Sequence, residues 1–256
     1  MKKSTRILLM IVLTLVLIAI TVPEVFSGSA YRYADAGRYT AGEGEISGSI
    51  SAIDLSWING DVSVVRHSGD RIILKENASR RLKQAEEIHW LVEGETLYVR
   101  FVRSGTRSAG RLRKDLTLMI PEDLTLEVFE ITTVSAEVNA ELPAAEVITI
   151  QGVSGNMDMI FAETERVEVD TVSGDLTLRF PAAPERIDVD VVSADVTIQL
   201  PREAGFTADL DSISGDLAGQ LLDGTAGEKH YVHGDGACII EADAVSGNLT
   251  LDPYIR

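Results

Sequence analysis

Branched aliphatic residues recur at every second position through most of this chain, and the alternation slips at regular intervals. In the stretch 166–181, Val167 and Val169 alternate with Glu168 and Asp170, the period of a half-buried strand. The parity then shifts to Val172, after which Leu176, Leu178 and Phe180 alternate with Asp175, Thr177 and Arg179. Two short strands therefore share one inward face. Ser173-Gly174 turns the corner between them, where glycine reaches positive φ without steric cost. Neighbouring stretches carry matching inward sets: Ile148, Ile150, Val153, Met157, Met159 and Phe161, then Ile187, Val189, Val192, Val196, Ile198 and Leu200. Pro143, Pro181 and Pro201 close three units, as expected of a residue that cannot donate to a ladder.

The corner phrase itself repeats. Val-Ser-Gly-Asp-Leu-Thr-Leu at 172–178 has variants beginning at Val134, Val153, Val192, Ile213 and Val245, and a more distant one at Ile58. From Val134 onward the starts are 19, 19, 20, 21 and 32 residues apart. A period of about 20 residues is the mark of a solenoid. One unit cannot bury its apolar face alone, so the units should stack in parallel, with strands about 4.8 Å apart. The corner serines should then stack on one another, and Asn156, Asp175, Asp195, Asp216 and Asn248 should form an outward row. Where Ala136 and Ala194 replace the corner glycine, the chain must take a negative φ or accept strain. The fold class predicted is all-β: a single-chain parallel β-solenoid, or β-helix, with rungs of about 20 residues, preceded by an N-terminal apolar helix.

The rest of the chain divides around that repeat. Residues 7–22 carry no charge and come after Lys2, Lys3 and Arg6, so 1–26 reads as a signal peptide or an N-terminal membrane anchor. Both readings put the remainder of the chain outside the cytoplasm, because the positive flank stays inside. Residues 27–49, rich in Gly, Ser, Ala and Tyr, read as a linker. Residues 50–123 form a divergent N-terminal β part. It holds a first unit around Trp57-Ile58-Asn59-Gly60, a strand at 71–74, a polar connection at 77–85 with a helical turn, and a hairpin about Glu93-Gly94-Glu95. Residues 124–256 are the regular repeats, interrupted by a turn-rich insertion at 223–236 and closed by a last unit at 238–251.

Charge is uneven. The net value is −17, but residues 66–114 carry 12 basic and 6 acidic side chains, while 115–256 carry 6 basic and 28 acidic. The acidic repeats argue against nucleic acid as a partner, since phosphate contacts need Lys and Arg. Arg100, Arg103, Arg107, Arg111, Arg113 and Lys114 form a basic loop, the candidate binding surface, suited to anionic lipid or a wall polyanion. The lone Cys238 has no disulfide or metal partner and reads as a small core residue. His230 and His233 with Asp235 lack the ligand set of a zinc site and read as exposed histidines on a Gly-rich loop. The Asp/Asn row lacks the six to eight oxygens calcium requires, and reads as a solvated face. Val-Ser-Gly is not the nucleophile elbow, and no carboxylate pair stands out among many. The sequence thus names no catalytic residue, no metal ligand and no cofactor.

The repeated phrase behind an apolar N-terminal segment resembles a bacterial family of β-strand-repeat proteins labelled "putative adhesin", over about 50–251. The resemblance implies the architecture and an envelope location, in some members linked to stress response, and it brings no catalytic residues. The expectation is a membrane-anchored or exported cell-envelope protein. It would offer a non-catalytic, adhesin-like binding or scaffold surface to an envelope protein or a cell-wall polymer, with membrane contact through the N-terminal segment. The alternatives are a β-helix enzyme acting on an extracellular polysaccharide and an anchored sensor of envelope stress.

Overall fold

The computed structural model describes residues 31–107, 109–222 and 229–255. They form an all-β, solenoid-like stack without an α-helix. The predicted N-terminal apolar helix falls on residues outside those described. Among the described residues no helix is long and apolar enough to cross a membrane.

Each rung is a pair of strands that meet at the repeated corner. In the rung 164–179, Thr164–Ser173 forms the first side and Leu176–Arg179 the second. Pairing between rungs is parallel and in register: Val167 lies between Ile148 and Ile187, and Leu176 between Met157 and Val196. The alternation therefore builds columns that run across the rungs. Ile53, Phe129, Ile148, Val167, Ile187, Ile240 and Ala208 make one inward column, and all are buried. On the second side the column is Val62, Val138, Met157, Leu176, Val196, Leu249 and Leu217. Each fully buried aliphatic side chain contributes about 1.5–3 kcal/mol relative to exposure. Phe161 and Phe180 stack at 4.4 Å between centroids near the ends of their rungs.

The parity slip comes one residue earlier than the sequence suggests. Thr171, not Val172, completes the inward set of the first side, being 1 % exposed, while Val172 is half-buried on the outer face. The in-register positions Thr133, Gly152, Val191 and Ala244 are likewise inward. Hydrophobicity alone misplaces the slip, because a threonine fills an inward position while a valine faces out.

The order of rungs in space also departs from their order in sequence. The last unit does not close the stack: Cys238–Ser246 pairs with Arg186–Ser193 on one side and with Phe206–Ser214 on the other. At the opposite end, Ala52–His67 lies between the rung 125–141 and the strands Thr96–Arg100 and Lys114–Pro121. The stack therefore runs 96–121, 52–67, 125–141, 144–160, 164–179, 186–200, 238–253, 206–218. The displaced rung 206–218 has a second side of only two residues, Leu217–Ala218, so the shorter unit takes the edge. Short edge strands expose few unpaired backbone groups.

Antiparallel strands cover the ends. His89–Glu93 pairs with Thr96–Arg100, and Ile72–Ala78 with Lys114–Pro121, each overlaid in turn by Thr40–Ala41 or Gly44–Ile46. At the far end His230–His233 runs antiparallel to Phe206–Ser214.

Candidate binding face

The corner row is the first candidate, and its geometry shows what it does. Asp175 N–H donates to Asn156 Oδ1 at 2.9 Å, and Asp195 N–H to Asp175 Oδ1 at 3.3 Å. Asn248 N–H donates to Asp195 Oδ1 at 2.8 Å, and Asp216 N–H to Asn248 Oδ1 at 3.1 Å. Each side chain satisfies the corner amide of the next rung, a demand every bend in a ladder creates. The serines also stack: Ser154 Oγ donates to the Val134 carbonyl at 3.0 Å and Ser173 Oγ to that of Val153 at 3.1 Å. Gly174 and Gly247 hold positive φ (108° and 141°) against the rung beneath, where a Cβ would lie 2.2 Å from the Gly155 oxygen and 1.8 Å from the Ala194 oxygen. Ala136 and Ala194 avoid positive φ. The repeated phrase is thus occupied in building the corner.

The basic loop does not form one patch. Arg100 is buried on the outer face of the first side, where it grips both carboxylate oxygens of Asp54 at 2.7 and 2.6 Å and donates to the Asp54 carbonyl at 2.9 Å. Burial opposes its charge, yet the hydrogen bonds and charge of Asp54 hold the guanidinium above its usual pKa. Lys114 is buried deeper still. Its Nζ sits 2.7 Å from Glu76 and 2.8 Å from the Glu86 carbonyl, over the rings of Trp57 and Phe101. Burial pulls the Lys114 ammonium down to about 8, against the opposing pull of Glu76. Arg103, Arg107, Arg111 and Arg113 are exposed, and Arg113 pairs with Asp61 at 2.9 Å.

The outer face of the first side is the feature that sequence reading missed. Because every outward residue lies in register with its neighbours, columns run along it, and three of them lie toward the corner. One reads Asp54, Glu130, Thr149, Glu168, Asp188, Glu241, Asp209. The next reads Arg100, Ser56, Thr132, Gln151, Asp170, Asp190, Asp243, Asp211. The third, nearest the corner, holds the valine of the repeat: Ile58, Val134, Val153, Val172, Val192, Val245, Ile213. The alternation itself signals this face, but rung order had to be known before the columns could be assembled.

At one end the columns line a pocket of ≈ 210 Å³ bounded by Tyr31, Arg32, Tyr33, Asp54, Ser56, Ile58, Arg100, Glu130, Thr132 and Val134. Burial raises the phenols of Tyr31 and Tyr33, the latter to about 12, so both are protonated at neutral pH. At the other end a shallow recess of ≈ 360 Å³ is walled by Arg166, Arg186 and the carboxylates of the first two columns. Burial, then Asp170, Asp243 and Asp188, push the Asp190 carboxyl up to about 7. On the outer face of the second side the column of Asn139, Asp158, Thr177, Thr197 and Thr250 is mostly uncharged, and the next, Glu141, Ile160, Arg179, Gln199 and Asp252, carries both signs of charge.

The remaining candidates fall elsewhere. His230 lies on an edge strand rather than a glycine-rich loop and bonds Asp209 at 2.8 Å, while His233 stacks on Phe206. Cys238 is buried, and burial pushes its thiol up to about 12. Among the described residues no three His, Cys, Asp or Glu side chains group as a metal site.

A family model described as Toastrack DUF4097 matches residues 44–252. Among solved structures, the chain is similar to a "putative cell adhesion protein" from Clostridium sporogenes, at 14 % identity and a TM-score of 0.48, covering 84 % of this chain and 100 % of that one. It is also similar to a "putative adhesin" from Bacteroides fragilis, at 11 % identity and a TM-score of 0.42, covering 83 % and 97 %. Likeness this distant says nothing of what the present chain binds. No curated protein matches it.

Proposed function

The chain belongs to the Toastrack DUF4097 family, and from that premise we propose that it is a cell-envelope protein whose stack serves as a non-catalytic binding or scaffold surface. The observation that carries this reading is the columned outer face. It is long and regular, and its aliphatic and acidic side chains lie in rows that no corner or core requirement explains. The uncharged run 7–22 behind Lys2, Lys3 and Arg6 supports an extracytoplasmic location by anchor or export. The exposed Arg103, Arg107, Arg111 and Arg113 offer a second contact, for an anionic wall polymer. Fractionation of the native cells with N-terminal sequencing tests the location. Affinity capture from the envelope fraction tests the surface. The reading expects recovery in membrane or wall with a specific co-purifying envelope component, and recovery in the cytosol would overturn it.

A second reading, an enzyme cleaving an extracellular glycan, draws on one observation. Asp190, its carboxyl pushed up to about 7 by burial and neighbouring carboxylates, has the in-register neighbours Asp170 and Asp243 one strand away on either side. Strand spacing of about 4.8 Å is near the separation of about 5–5.5 Å used by retaining glycosidases. Release of reducing sugar from wall glycan that Asp190→Asn abolishes would favour this reading over the first.

A further inference from the structure

The chain covers one end of its own outer face. The segment beginning at Tyr31 lies over Ser56, Ile58, Thr132 and Val134, and there Ile58 and Val134 are only 3 % and 5 % exposed. Tyr31 hydrogen-bonds Ser56, and Tyr39 lies within the field of Arg100 and Asp54. The covering chemistry is therefore aromatic rings, Tyr31, Tyr33 and Tyr39 in contact around a turn and the short 3-10 helix Ala36–Arg38, with Arg100 supplying the positive charge that meets Asp54 and Glu130.

Beyond that end the same columns continue, among the described residues, without the aromatic cover. Val153, Val172, Val192 and Val245 are half-buried and Ile213 is 62 % exposed, so an aliphatic ridge runs across the rungs. Beside it the column becomes Asp170, Asp190, Asp243 and Asp211, one carboxylate per strand, where the covered end has Arg100 and Ser56. Arg166 and Arg186 are engaged one column further out, with Glu168, Asp188 and Glu241. Where the two stretches meet, Gln151 is 7 % exposed, hydrogen-bonds Asp170, and leaves its Oε1 without a partner.

We propose that this stretch binds an extended cationic polypeptide segment bearing aromatic side chains, whose rings take the place that Tyr31 and Tyr33 take at the covered end. Rings would sit on the ridge of Val172, Val192 and Ile213, and Arg or Lys heads would meet the aspartate column. Removal of aliphatic surface from water would supply most of the affinity. The carboxylates would supply orientation and a salt-dependent encounter. The raised carboxyl of Asp190 fits a row of negative charge that a cation would stabilise.

This inference deepens the binding-surface reading and rests on it, and its test is arranged to separate the two. The full-length protein in detergent is titrated with a labelled peptide of alternating Tyr and Arg, and with one of alternating Tyr and Glu. The expected result is saturable binding of the Tyr-Arg peptide, weakened about tenfold between low and high salt, with no binding of the Tyr-Glu peptide. Ile213→Asp and Asp211→Asn should each weaken it about fivefold, the scale of roughly 1 kcal/mol. Ile213→Ser, milder at an already exposed position, guards against misfolding, and an unchanged melting temperature is required of every variant scored. Equal binding of both peptides, or Tyr-Arg binding that no variant alters, would overturn the proposal. Self-association that Ile213→Asp abolishes, without peptide binding, would assign the face to a second copy and also overturn it. Envelope capture that persists in Ile213→Asp while the peptide fails would overturn this placement and leave the broader reading standing.

Discussion

Asp195 explains why the repeat favours Asp or Asn after the corner. Its Oδ1 accepts both the backbone N–H and the side-chain amide of Asn248, joining two rungs that are 53 residues apart in sequence. Asp195→Ala should cost about 1 kcal/mol in urea unfolding. Gly247 is the stricter position, since its φ and the nearby Ala194 carbonyl both exclude a side chain. Gly247→Ala should cost about 1–3 kcal/mol, whereas Ala194→Gly should cost under about 1 kcal/mol. Lys114 and Glu76 form a buried pair, so Glu76→Gln alone should destabilise by about 3–5 kcal/mol, while adding Lys114→Met to Glu76→Gln, whose amide oxygen still accepts the Ile88 N–H, should recover part of that loss. For Asp190 the sign comes from its raised pKa. The native state holds a proton that the unfolded chain has released, so stability falls as pH rises from about 4 toward about 7. Asp190→Asn should therefore raise the melting temperature clearly at pH 8 and little at pH 4.

At the scale of the element, the strand pairs were legible because alternation and the corner phrase are local. Ile148 and Ile150, then Met157 and Met159, read as inward from the sequence and are buried. Rung order was not legible, because the same phrase at Val192, Ile213 and Val245 fits any neighbour equally well. The 32-residue spacing before Val245 was the one sign of a detour. In the structure that detour includes the edge strand His230–His233 and ends with Cys238–Ser246 between two earlier rungs. Lys114 and Arg100 were misleading as loop charges for a related reason. A charge in an irregular stretch looks exposed until its partner is brought beside it, Glu76 from 38 residues away and Asp54 from 46. The rung order has a direct check in a Cys238→Ala background. Ser193→Cys with Ser246→Cys should form a disulfide readily, since the two positions are in register on paired strands, and Ser193→Cys with Ser214→Cys should not. The reverse result would restore sequence order.

Across the whole molecule, charge and shape divide by side. The first side turns a row of carboxylates and an aliphatic ridge outward, and the second turns out a column rich in threonine beside one of mixed charge. Among the described residues only the first carries the chain's own aromatic cover, at one end. A surface that merely kept the protein soluble would not need its hydrophobic residues in a row beside its acids. The central claim, that this face is where the protein meets its partner, can be tested by placing a photo-crosslinking residue at one position at a time in intact cells. Positions 172, 192 and 213 on the first side should yield the same discrete adduct, and positions 177 and 197 on the second side should yield none. Adducts of equal strength from both sides, or from the second alone, would contradict it.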